Sequence, residues 1–285
     1  MKKQDIHIRD PFILVDGGKY YMYGTRGKST WDGKCTGLDV YVSSDLEDWS
    51  EPVEAFTAPE GFWADRNFWA PEVHEYRGAY YMFVSFKSET ACRGTQILRA
   101  ESPMGPFLLH SDGPVTPRDW ECLDGTLYVS PEGKPYMVFC HEWVQVRDGE
   151  MCAIELSDDL RCAVGQPRLL FRASEPAWSV KGAETYVTDG PFMYRTQEGR
   201  LLMIWSSHAA KGYCEAIAYS DNSDITGTWQ HDERLLFEEN GGHGMIFRTL
   251  EGGLRFIYHQ PNNTPMERPH IVALREEGGT LYAAE

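Results

Sequence analysis

The chain has 285 residues, 42% hydrophobic and 13% aromatic, with a formal charge of -16. Such an acidic excess argues against a nucleic-acid partner, whose phosphates call for a basic patch. No stretch reaches the length of a membrane-spanning helix, and the length admits one large all-β domain or two ordinary ones. The seven cysteines, Cys35, Cys92, Cys122, Cys140, Cys152, Cys162 and Cys214, are odd in number and lack any CxxC spacing. They read as reduced thiols rather than a disulfide framework or a zinc site. The opening MKKQDIHIRD has two lysines but no apolar stretch behind them. No signal peptide is visible there, so the expected location is the cytoplasm; a leader trimmed from the chain would make it secreted or periplasmic.

Five segments repeat one grammar along the chain. They start at Asp10 (DPFILVDGGKYYMYGT), Ala70 (APEVHEYRGAYYMFVS), Asp124 (DGTLYVSPEGKPYMVFC), Asp189 (DGPFMYRTQEGRLLMIWSS) and Gly242 (GHGMIFRTLEGGLRFIYHQ). Each is a strand, a glycine-containing hairpin turn and a near-continuous apolar return strand. A second hairpin follows each one: DVYVSSDLEDWSEPVEAF, QILRAESPMGPFLLHSDGPV, CAIELSDDLRCAVGQPRLLF, AIAYSDNSDITGTWQHDERLLF and HIVALREEGGTLYAAE. Two hairpins make four antiparallel strands over roughly 55–65 residues, the size of a propeller blade. Five such units use residues 1–285, which predicts an all-β, five-bladed β-propeller forming a single domain. A β-sandwich does not require a fivefold repeat.

In a propeller the first strand of each blade lines the central channel, so equivalent repeat positions converge. Those positions hold Asp10, the 70–72 segment, Asp124, Asp189 and His243. Three aspartates and a histidine then surround one axis, and the like-charged carboxylates raise one another's pKa values, an arrangement suited to acid–base work or cation binding. Glycoside cleavage needs one carboxylic acid to protonate the leaving oxygen and one carboxylate to activate water or attack carbon. No GxSxG, P-loop, GxGxxG after a strand or HExxH competes with that reading.

At these residues the chain resembles glycoside hydrolase family 43 of the five-bladed furanosidase clan. Arg9-Asp10-Pro11-Phe12 resembles the catalytic-base motif, Trp69-Ala70-Pro71-Glu72 the second-blade signature, and Leu123-Asp124-Gly125-Thr126-Leu127 the motif of the pKa-modulating aspartate. Gly242-His243-Gly244 resembles the motif whose histidine, often with a calcium ion, sits in the channel. The resemblance implies an inverting hydrolase of arabinofuranosides or β-xylosides, with Asp10 as base, Asp124 as modulator and a calcium ion near His243 that the chemistry does not need. One motif departs: the family has Glu-Gly-Pro on the fourth blade, where this chain has Asp189-Gly190-Pro191. Asp189 takes the acid's place one methylene short, roughly 1.5 Å, and Glu184 is the alternative acid.

Further substrate-binding candidates are Trp69, as a sugar-stacking wall, His141 and His208 at the ends of inner hairpins, and Arg268 near the last hairpin. The expected partner is an arabinose- or xylose-containing oligosaccharide or polysaccharide. Exo action on single arabinofuranosyl or xylosyl units is the leading expectation, with endo-arabinanase activity or a non-catalytic sugar-binding propeller as alternatives. The stretches 26–37 and 56–68 are candidate walls of the site.

Overall fold

The structure, a computed structural model, describes residues 1–27, 30–31, 33–181 and 184–284. Twenty strands form five antiparallel sheets of four, each sheet drawn from one continuous piece of chain. Blade 1 holds β1 (Ile8–Asp16), β2 (Lys19–Arg26), β3 (Gly37–Ser43) and β4 (Val53–Thr57). Blade 2 holds β5 (Arg66–Tyr76), β6 (Ala79–Lys87), β7 (Gly94–Ala100) and the two-residue β8 (Leu108–Leu109). Blade 3 holds β9 (Cys122–Val129), β10 (Pro135–His141), β11 (Glu150–Leu156) and β12 (Ala163–Arg172). Blade 4 holds β13 (Asp189–Arg195), β14 (Leu201–Ala209), β15 (Gly212–Ser220) and β16 (Trp229–His231), and blade 5 holds β17 (Gly242–Arg248), β18 (Leu254–Gln260), β19 (Arg268–Glu277) and β20 (Thr280–Ala283). The five-bladed all-β fold read from the repeat is the fold observed.

The first strands pack around the axis, β1 touching β5 and β17, β9 touching β5 and β13, and β13 touching β17. The second strands are the apolar runs YYMYGT, YYMFVS, PYMVFC, LLMIWSS and FIYHQ. They carry fully buried residues such as Met22, Met82, Met137, Met203 and Ile257 to the faces between blades. Tight turns close the inner hairpins; at Arg77-Gly78 both residues have positive φ (48° and 80°), the two-residue turn that matches strand twist. Among the described residues no strand is exchanged between blades 1 and 5. Instead Arg268 clasps the ring shut, its guanidinium bonding the Gln4 carbonyl at 2.9 Å and His7 at 2.8 Å. Among the described residues no helix is long and apolar enough to cross a membrane.

At the channel end of every first strand the ladder skips two residues. Pairing jumps from Arg9 to Phe12, Trp69 to Glu72, Leu123 to Thr126, Asp189 to Phe192 and Gly242 to Met245. The first skipped residue is left-handed in all five: Asp10 (φ 53°), Ala70 (46°), Asp124 (57°), Gly190 (50°) and His243 (49°). For a non-glycine residue that conformation costs about 1–2 kcal/mol, so four blades hold a strained residue at the same point. Strain that recurs this way marks a site where side-chain direction matters more than local stability.

The register corrects one expectation. Gly190, not Asp189, is the fourth-blade equivalent of Asp10, Asp124 and His243. Asp189 lies one residue earlier, in line with Arg9, Trp69, Leu123 and Gly242. Glycine is required at 190, because a Cβ there would stand 2.6 Å from the His243 ring.

Candidate active site

Each strained residue leaves a backbone N–H that the ladder does not satisfy, and the preceding blade's second strand answers it. Asp10 N–H donates to His259 Nδ1 at 3.2 Å, Ala70 N–H to Thr25 Oγ1 at 2.8 Å, Asp124 N–H to Ser85 Oγ at 2.9 Å and His243 N–H to Ser206 Oγ at 2.7 Å. The fifth acceptor breaks the rule. Cys140 holds the equivalent seat on β10, opposite Leu123, and a thiol is a weak acceptor. Gly190 N–H donates instead to the Asp124 carboxylate, Oδ2, at 3.0 Å.

His243 stands between two of the aspartates. Its Nδ1 lies 3.2 Å from Asp10 Oδ1 and 3.8 Å from Asp124 Oδ2. Asp10 also accepts a 2.6 Å bond from Thr25 Oγ1, and its Oδ1 lies 4.0 Å from Arg9 Nε. Arg9 in turn pairs at 2.6 Å with Glu267, which is 1% exposed. Asp189 remains partly accessible and accepts a 3.0 Å bond from the buried Tyr213 hydroxyl.

These surroundings drive the carboxyls apart. Burial pushes Asp10 upward, but cationic His243 and Arg9, with the Thr25 hydroxyl bond, outweigh it and hold the carboxyl below its ordinary value. Asp189 is pushed well up, first by burial and then by Asp124; Asp124 rises with it, chiefly through burial, and the two titrate as a pair. Burial opposes a charge on His243, yet Asp10, Asp124 and Asp189 carry it up to about 9, so the imidazole is cationic at neutral pH. His259, down to about 3 through burial and Arg9, is neutral, consistent with Nδ1 accepting the Asp10 N–H. One carboxylate kept ionised beside one kept protonated is an acid–base pair separated by environment.

The other sequence candidates fall in different places. Glu184 is at the surface, 3.7 Å from Arg147, and makes no hydrogen bond or ion pair with the channel aspartates. Trp69 reaches the site, its Nε1 bonding the Thr30 carbonyl at 2.6 Å, but Arg93 covers one ring face at 3.8 Å. His141 is buried against Trp120 at 4.1 Å, with both ring nitrogens engaged by Glu150 and Gln145. His208 packs on Tyr213 at 5.4 Å and borders the site. Arg268 is the ring clasp described above; its neighbour Glu267 is the residue that reaches the Arg9–Asp10 group. In the candidate wall 26–37, Lys28, Ser29 and Asp32 lie outside the described residues.

Trp31, Tyr213 and Glu215 belong to the site without having been singled out. Trp31 is 56% exposed, edge-on to Trp69 at 5.2 Å, with the Arg9 guanidinium 5.1 Å over its ring. Tyr213 and Glu215 are alternate residues of β15, a third strand, whereas the repeat starts that converge in sequence lie on first strands. The aligned ends Thr25, Ser85, Cys140, Ser206 and His259 were the legible signal for the anchoring layer.

Glu215 is fully buried and accepts bonds from Ser206 Oγ at 2.7 Å and Gly244 N–H at 3.2 Å. Burial pushes it up to about 8. The folded form therefore holds a proton that the unfolded chain gives up near its ordinary 4.5. The associated stability is whole below that value and is lost as pH rises through about 8. Glu215→Gln, which cannot ionise, is expected to match the parent in urea unfolding at pH 5. By pH 9 it should be more stable by about 2–4 kcal/mol. A gap that does not widen with pH would mean Glu215 is ionised in the folded protein.

Among the described residues no group of three or more His, Cys, Asp or Glu side chains is arranged to hold a metal ion. His243 offers Nδ1 to Asp10 instead. A separate cavity of about 580 Å³, lined by Phe62, Trp63, Arg93 and Arg118 among others, opens on the flank of blade 2 and includes none of the three aspartates.

Comparison with known proteins agrees with this geometry. The model of glycosyl hydrolases family 43 matches residues 5–276. The crystal structure of an endo-arabinase from Bacteroides thetaiotaomicron VPI-5482 superposes with a TM-score of 0.90 at 39% identity, covering 98% of both chains. An extracellular endo-α-(1→5)-L-arabinanase of Bacillus subtilis (strain 168) is 26% identical over 153 residues, which is 49% of this chain and 45% of that protein. A xylosidase/arabinosidase of Humicola insolens is 23% identical over 150 residues, again 49% and 45%. The chain thus spans about half the length of the curated relatives it matches. The Bacillus relative is extracellular by name, so the cytoplasmic location expected from the opening residues finds no support there. By its family match across nearly its whole length, the chain belongs to glycosyl hydrolases family 43.

Proposed function

We propose that this protein hydrolyses α-L-arabinofuranosyl linkages within arabinan-type polysaccharide, with inversion at the anomeric carbon. The observation that carries the chemistry is the opposed environment of Asp10 and Asp189 at one channel mouth. Ionised Asp10 removes a proton from a water as its oxygen bonds the anomeric carbon. Protonated Asp189 delivers its proton to the glycosidic oxygen as the carbon–oxygen bond breaks. Asp124 keeps negative charge beside Asp189 and so keeps that proton on. Turnover ends with Asp10 protonated and Asp189 ionised, and exchange with solvent restores both. Trp31, with its exposed indole, supplies a stacking face beside Arg9.

Endo action takes precedence over exo action because a structure 39% identical over 98% of the chain is described as an endo-arabinase. Release of single arabinosyl or xylosyl units is the second reading, favoured by the likeness to the xylosidase/arabinosidase. Digestion of linear α-1,5-arabinan separates them. A ladder of oligosaccharides with an early fall in viscosity is the expected outcome, and the first product seen by NMR should carry the inverted anomer. Arabinose as the sole early product would establish the exo reading. Turnover of aryl β-xyloside alone would overturn the arabinan assignment.

A further inference from the structure

We propose that Tyr213 is a positioning residue for the general acid, fixing which oxygen of Asp189 carries the proton and compensating for the short side chain at that position. The inference rests on the acid–base reading above. Asp189 starts β13 one residue ahead of the left-handed bend, so its backbone is set by the Gly190–Asp124 bond behind it. Its side chain has two torsions, about Cα–Cβ and Cβ–Cγ, with which to aim the carboxyl. The Tyr213 hydroxyl removes that freedom by donating to Oδ2 at 3.0 Å. With Oδ2 committed as an acceptor, the dissociable proton resides on Oδ1, the oxygen left to face a leaving group.

Tyr213 is built to hold that position. It is 1% exposed and stacks on His259 at 5.7 Å and 21° between planes. Its other flank meets His208 at 5.4 Å. Gly242 makes room for it, since a Cβ there would approach Tyr213 Cε1 to 3.1 Å. Burial and Asp189 both push the phenol well above its ordinary value, so it stays a donor throughout the working range. The third strand of blade 4 therefore completes a group whose acid is on the first strand.

Tyr213→Phe keeps the ring and its packing and deletes the donor. The expected loss is in kcat, about 10- to 100-fold on arabinan or an alkyl arabinofuranoside. On an aryl arabinofuranoside with an activated leaving group the loss should be under about threefold, with KM unchanged in both cases. The sign of the pH effect is distinctive. A donated bond stabilises ionised Asp189, so its removal raises the proton affinity of the acid and moves the alkaline limb of the kcat profile to higher pH. In an Asp189→Glu background the longer side chain no longer meets the hydroxyl in the same way, and the same Tyr213→Phe change should cost much less. Equal losses on both leaving groups, or an unmoved alkaline limb, would reduce Tyr213 to a packing residue. The acid assignment is read separately from Asp189→Asn: if that variant shows no leaving-group dependence, the reading beneath the proposal fails, whatever Tyr213 does.

Discussion

Asp10→Asn is expected to lower kcat on arabinan by about a thousandfold or more while the protein stays folded. A positioned general base contributes on the order of 10²–10⁴, and the amide cannot accept the proton of the attacking water. Asparagine still accepts the Thr25 hydroxyl bond now made to Asp10 Oδ2, while its NH2 replaces the oxygen that faces His243 Nδ1. What changes is the charge balance. His243 is carried up to about 9 mainly by Asp10, against the opposing effect of burial. Without that partner its pKa falls, and the imidazole turns neutral near physiological pH. Two measurements check this together: initial rates on linear arabinan, and the histidine titration followed by NMR. A folded variant that keeps a tenth of the parent rate would place the base elsewhere.

Asp189→Asn is the second large effect, and it depends on the leaving group. On arabinan, whose leaving alkoxide needs a proton, the expected loss is about 10²–10⁴-fold; on an activated aryl arabinofuranoside it is under about tenfold. The pH profile follows from the sign of the shift. Asp189 is pushed well above its ordinary value by burial and by Asp124, so the protonated acid persists above the pH at which an ordinary aspartate ionises, and activity falls as pH rises through that raised value. The asparagine variant should lose this alkaline limb. Glu184, exposed and paired with Arg147, predicts the opposite pattern for its own variant, with Glu184→Gln unchanged on every substrate. If Glu184→Gln shows the leaving-group dependence instead, the surface residue is the acid and the channel assignment is wrong.

The fold was legible because it repeats. Turn chemistry at Gly17-Gly18 and Arg77-Gly78, and apolar second strands of similar length, announce five similar hairpin pairs without any tertiary information. Asp10, Asp124 and His243 were legible for the same reason, as matching starts of matching segments. Asp189 seemed to share their register because DG at 189–190 looks like DG at 124–125. The backbone treats the two pairs differently: Asp124 is itself the left-handed residue, whereas at the fourth blade Gly190 is. A ladder offset of one residue leaves no trace in a string of letters. Tyr213, Glu215 and Trp31 were hidden for another reason. They come from a third strand and from a loop, and only the closed ring carries those segments to the first strands. Arg268 and Glu267 show the limit of resolution. The neighbourhood was right, but strand alternation turned the arginine toward the N-terminal segment and the glutamate toward Arg9.

Cys140 bears on how such a protein would be idealised. Averaging the five blades to their commonest residues is a familiar route to stability, and it would write serine or threonine at 140, in line with Thr25, Ser85 and Ser206. The averaged chain would satisfy the Gly190 N–H within the scaffold, as three other blades do for their own neighbours. Asp124 would then lose the tie that holds it against the Asp189 backbone. The lapse in the repeat thus leaves the Gly190 N–H to Asp124, and a consensus propeller built from this sequence would gain regularity at the one seat where irregularity is used.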